Sequence, residues 1–260
     1  MRPGFKKLIH SDAIRLSSLT ALMLLTPFPL MAAESHRGAI VCRGEISEAR
    51  RVELAHQLQL ITGWSDLNFD RQGSLRVGQN SPAAGSRLAR NLIASALLSG
   101  KVLILEDASN RADVVFARVV PGRWKTTSEN RAVFVVLIDF ADFEHLMGDR
   151  QALAAFNAGW SVLHEVDHVV TDSADSAAVG HTGECEDHIN EMRRECHLPA
   201  RMDYFFRFFP NSEQSDFQTR LVRLAFEQSE GSKKHRRFWV IWDASQVGGL
   251  ESAKQVATLR

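Results

Sequence analysis

Apolar residues recur along this chain in two rhythms, one of period two and one of period 3.6. Residues 39–43 (AIVCR) predict a short strand. Ser47 stands where it can cap a helix, which Val52, Leu54, Leu58, Leu60 and Ile61 carry to about Thr62. Residues 67–70 and 74–77 predict two short strands about the turn Arg71-Gln72-Gly73. Leu88, Leu92, Ile93, Ala96 and Leu97 give a helical stripe over 86–99 that ends at Gly100. Residues 102–105, 114–120 and 132–139 (AVFVVLID) are apolar and β-branched and predict strands, with a turn at Pro121-Gly122. Leu153, Phe156, Trp160, Leu163 and Val170 predict one helix over about 151–170. A small, polar loop follows over 171–183. A second helix is predicted over 184–197 and stopped by Leu198-Pro199, with further helix over 214–228 and a strand over 238–242. No internal repeat or linker is visible. The pattern predicts a single α+β domain over 34–260.

The first 33 residues break this pattern. Arg2, Lys6, Lys7 and Arg15 precede an apolar stretch, residues 16–25, and then the small pair Ala32-Ala33. That order predicts a cleavable export signal over 1–33. Its apolar run is short for a membrane span, so no stable membrane association is expected after its removal. An exported chain meets an oxidising compartment, where two of Cys42, Cys185 and Cys196 can pair. Cys185 and Cys196 fall too far apart on one helix, so any bridge would involve Cys42. Lys+Arg and Asp+Glu are equal at 31 each, which leaves no basic footprint for nucleic acid.

Chemistry enters at His164-Glu165-Val166-Asp167-His168, an H-E-x-x-H pattern inside the predicted 151–170 helix. Residues four apart share a helix face, so both imidazoles can converge on one Zn2+ ion. Glu165 is rotated by about 100° and can act as general base toward a water. A third protein ligand is then required. Candidates crowd residues 180–191. On a helical projection Cys185, Ile189, Met192 and Cys196 form the apolar stripe. Glu186, Asn190, Arg193 and His197 flank it on one side, and Glu184, His188, Glu191 and Glu195 on the other. Periodicity does not choose between the flanks, and His181, Asp172 and Asp175 are further candidates.

The motif followed by an acidic helix resembles the zincin metallopeptidases of the glutamate-ligand group, in a poorly characterised bacterial branch. The match covers about residues 160–205, including Gly183-Glu184-Cys185-Glu186, Asn190, Arg193, Glu195, Leu198-Pro199, Arg201 and Tyr204. The resemblance implies a small mixed sheet packed on the H-E-x-x-H helix, Glu186 as third zinc ligand, and Asn190 orienting a histidine. It also implies a protein or peptide substrate, and the export signal over 1–33 implies action in the periplasm or outside the cell. Tyr204, the only tyrosine, is placed to hydrogen-bond a developing oxyanion. Asp167 departs from the usual small or apolar residue inside the motif. Rival functions are a secreted effector protease with one target and a non-catalytic metal-binding envelope protein.

Overall fold

The computed structural model describes residues 38–78, 82, 84–122, 131–209, 220–230 and 234–248. The expected export signal, 1–33, lies outside these described residues. The chain opens with β1 (Ala39–Cys42), α1 (Glu48–Thr62), β2 (Asn68–Phe69), β3 (Leu75–Arg76) and α2 (Arg87–Leu98). β4 (Val102–Asp107), β5 (Ala117–Pro121) and β6 (Val133–Ile138) follow, then α3 (Phe140–Glu144), β7 (Met147–Gly148) and α4 (Arg150–Ala155). It continues through α5 (Ala158–Thr171), α6 (Glu184–Glu195), β8 (Ala200–Arg201) and β9 (Arg207–Phe208). A long hairpin of β10 (Leu221–Glu230) and β11 (Lys234–Asp243) completes it. The class is α+β, as expected.

β1, β4 and β6 are parallel in the order β1-β4-β6, and β5 closes that sheet as an antiparallel edge. Parallel neighbours need crossovers, and α1 and α2 lie in the β1-to-β4 connection. Alternation along β6 decides the layers. Val136 and Ile138 join the main core with α1, α2, α5 and α6, whereas Val135 and Leu137 face the opposite side with Val114 and Ala108. α5 therefore packs on the sheet beside its β5 edge. A second sheet, ordered β7-β11-β10-β8 with β9 also on β10, forms an aromatic core with α4.

Three expectations change. The helix expected over 214–228 is, in its described part, the strand β10. Val222, Leu224 and Phe226 alternate inward at period two, although Leu221, Leu224, Ala225 and Gln228 also fit a helical period. Residues 214–219 lie outside the described residues. The single helix expected over 151–170 is two, α4 and α5, because Phe156 is extended and Asn157 caps a new helix. The strand expected from 114 begins only at Ala117. Phe116 takes a left-handed φ of 63° and turns its ring onto Phe143, Phe156 and Trp242.

Candidate metal centre

The Asn157 side chain accepts the Trp160 amide at 3.2 Å, which fixes where α5 starts and so which residues face its neighbours. His164 and His168 then lie one turn apart, with their Nε2 atoms 3.2 Å from each other. Asp172 adopts a left-handed φ of 59° and stops the helix. Asp167 holds the returning loop. Its Oδ2 accepts from Ser173 Oγ at 2.7 Å and Thr171 Oγ1 at 3.2 Å, and faces His188 Nδ1 on α6 at 2.9 Å.

The loop is closed at its far end by a backbone bridge between Asp175 and Gly183. Gly183 has φ +82°, and a Cβ there would stand 2.3 Å from the Ser176 nitrogen and 2.8 Å from the Asp175 carbonyl carbon. Only glycine permits that approach. The bridge delivers Asp175 Oδ1 to 3.0 Å from His164 Nε2 and 3.4 Å from His168 Nε2. Cys185, on the first turn of α6, donates its buried thiol to the His164 carbonyl at 3.3 Å. Donor atoms of His164, His168, Asp175 and Cys185 all lie within 4.8 Å of one another.

Proton positions follow from the partners. His168 Nδ1 sits 2.8 Å from the Ser173 carbonyl oxygen, which can only accept, so Nδ1 carries hydrogen. His164 Nδ1 faces Glu186 Oε2 at 3.4 Å and is biased the same way. Both Nε2 lone pairs then point toward each other and toward a carboxylate, which repels unless a cation joins them. As a protonation equilibrium this demand pushes His168 up to about 11, chiefly through Asp175 and then Cys185. Burial alone would lower His164, but Asp175, Cys185 and Glu186 raise it well above the usual value. Burial alone would raise Asp175, yet the two histidines and Tyr204 hold it well below the carboxylate range. Donors about 2.0–2.1 Å from a tetrahedral zinc stand roughly 3.3 Å apart. The three separations here, 3.0, 3.2 and 3.4 Å, match that spacing.

Glu186 is brought to the centre but stands outside this donor group, on the Nδ1 side of His164. Its buried carboxylate is paired with Arg193 Nη1 and, at 3.0 Å, Arg201 Nη1. Burial would raise it, and the two guanidiniums override that and hold it well below its usual range. Asn190 hydrogen-bonds to Arg193 and Arg201 rather than to a histidine. Its Oδ1 accepts from Arg193 Nη1 at 2.9 Å and the Arg201 amide at 2.7 Å, and its Nδ2 donates to the Arg201 carbonyl at 2.9 Å. His181, Glu184, Glu191 and Asp172 are exposed and absent from the donor group.

Glu165 is buried, and its Oε2 accepts the Val119 amide of β5 at 2.8 Å. Burial raises its pKa against the pull of His164 and His168. Tyr204 stacks on His164, with centroids 6.2 Å apart at 20°, and donates its hydroxyl to Asp175 Oδ2 at 2.7 Å. Burial and Asp175 raise its pKa well above the usual phenol value. Cys42, Cys185 and Cys196 are all free thiols. Ser173 and Asp167 were not singled out from sequence as parts of the centre. Their signal is an acidic residue inside the motif and the polar run that begins at Thr171, which together supply the returning loop's anchors. The chain matches no protein-family model and, at a significant level, no curated protein and no solved structure.

Proposed function

We propose that the protein is a zinc-dependent hydrolase of peptide bonds, zincin-like in its catalytic layout, with His164, His168 and Asp175 as metal ligands. The observation that carries this reading is the trio of donor atoms at mutual distances of 3.0, 3.2 and 3.4 Å. Two imidazoles and one carboxylate are a donor set suited to zinc. When bound, zinc would supply Lewis acidity, acidifying a water and polarising the substrate carbonyl. Glu165 takes a proton from the attacking water as its oxygen bonds to the carbonyl carbon, then gives it to the leaving nitrogen as the C–N bond breaks. The raised pKa of Glu165 suits that exchange. Tyr204 positions Asp175, turning Oδ1 toward the histidines. A peptide is favoured as substrate because β5, an edge strand, lies beside the centre, and an extended chain can pair with such an edge. Reading residues 1–33 as an export signal places the reaction in the periplasm or outside the cell.

The test pairs metal analysis with hydrolysis. Glu165→Gln should keep about one zinc per chain and lose about 10²- to 10⁴-fold in peptide cleavage. Unchanged cleavage would sink the reading. One observation favours a second reading, a non-catalytic metal protein. The Cys185 sulfur lies near the trio, and a fourth protein ligand would close the site as structural zinc sites are closed. A sulfur-to-metal charge-transfer band in the cobalt-loaded protein, absent from Cys185→Ser, would support that alternative.

A further inference from the structure

An aromatic cavity lies on the His164, Glu165 and Tyr204 side of the candidate centre. These three residues contribute to its lining, so whatever occupies it lies next to the reacting groups. Its apolar walls come from Phe116, Phe156, Trp160, Phe206, Leu224 and Trp242. These belong to separate parts of the fold. Trp160 is on α5, Leu224 and Trp242 on the β10–β11 hairpin, and Phe116 is turned inward by its left-handed backbone. A non-glycine residue kept in that conformation costs about 1 kcal/mol or more, and Phe116 is part of the cavity lining.

Volume and charge narrow the occupant. The cavity holds about 230 Å³. A dry apolar cavity of about 150 Å³ accommodates benzene, whereas pockets for whole drug-sized ligands start near 300 Å³. One large side chain fits. Among the charged residues that line the cavity away from the reacting groups, Arg193 and Arg201 face a single carboxylate, Glu186. Arg193 stands 5.3 Å from the Trp160 ring centroid, and Arg201 5.6 Å from that of Phe156. Those two aromatic faces already carry guanidiniums. With Glu165 also lining the cavity, its two guanidiniums are matched by two carboxylates, and burying a further cation without a free partner is costly.

We infer that this cavity is the specificity pocket of the proposed peptidase, taking one bulky uncharged apolar side chain next to the scissile bond and rejecting lysine and arginine. The inference rests on the zinc-hydrolase reading above. Its test separates the two, because zinc is quantified independently of pocket binding. The probes are the hydroxamates of phenylalanine, leucine, glycine and lysine, titrated into the zinc-loaded protein. Binding is followed by calorimetry and by the fluorescence of Trp160 and Trp242. Phenylalanine and leucine hydroxamates should bind about tenfold or more tighter than the glycine and lysine compounds. Leu224→Trp should keep its zinc and bind all four compounds alike, because the new ring fills the cavity. Should that variant fail to fold, Ser161→Leu fills the same space from α5. The probe series on the unmodified protein is decisive by itself. Equal affinities, a preference for lysine, or no binding by any probe with zinc in place would each overturn the pocket while leaving the metal centre standing. Failure to load zinc at all would overturn the hydrolase reading, and the pocket assignment with it.

Discussion

Two carboxylates flank the ring of His164, and they are held in opposite ways. Glu186, on the Nδ1 side, is fully buried and answered by two guanidiniums, so its charge is more than compensated within the protein. Asp175, on the Nε2 side, is part-exposed and answered by two imidazoles and a phenol. The first cluster is complete as folded. The second balances once a proton or a metal cation joins its histidines. Proximity to histidine thus does not identify a metal ligand. What matters is whether the carboxylate has already been neutralised.

Removing either carboxylate tests this contrast most severely. Asp175→Ala should reduce bound zinc from about one per chain to nearly none while leaving the fold intact, as elemental analysis and circular dichroism would report. Zinc retained at full stoichiometry would reverse the two roles. Glu186→Gln should instead keep the metal, with affinity weakened about 10- to 100-fold through His164. Its larger effect is on folding, because the buried guanidinium of Arg193 and the part-buried one of Arg201 lose their anion at a cost of about 3–5 kcal/mol. The sign with pH is fixed. A carboxyl depressed in the folded state contributes stability fully above its unfolded pKa, about 4.3, and loses it as pH falls through the folded value. The deficit of Glu186→Gln should therefore be greatest near neutrality and shrink in acid. Denaturant titrations across that range would check it.

Smaller changes sharpen the picture. Tyr204→Phe removes the hydroxyl that turns Asp175, and should weaken zinc binding about tenfold with roughly 1 kcal/mol of stability. Ser86→Ala probes a place remote from both carboxylates. Ser86 caps α2 and donates to Glu195, so about 1–2 kcal/mol should be lost with zinc affinity unchanged.

Local rhythm made much of the main sheet legible. The spans expected for β1, α1, α2, β4, β6 and α6 agree with the structure to within two residues or so, because each carries both a period and a stop signal. β10 was misread because its apolar residues satisfy two periods at once, and only its partner β11 decides between them. The break at Phe156 is set by tertiary packing, with its ring drawn into the aromatic core of the second sheet. At the site, the sequence displayed His164, Glu165 and His168 through fixed spacing. It also offered Asp175 and Glu186 as ligands. The preference for Asp175 in the proposed centre rests on the positions of Arg193 and Arg201, which helical projection places near Glu186 but cannot aim.

The pairing of Gly183 with Asp175 has a consequence for how this protein can change over time. Residues 176–182 leave and return at one closed junction, with Gly180 bonded to Asp203 and His181 to the Tyr204 amide, so it is the length of the stretch 176–179 that is uncoupled from the position of Asp175. Doubling such an excursion costs only about 0.6 kcal/mol of closure entropy. Descendants of this chain are thus free to lengthen, shorten or decorate that stretch, while a single substitution at Gly183 would be far harder for the lineage to absorb.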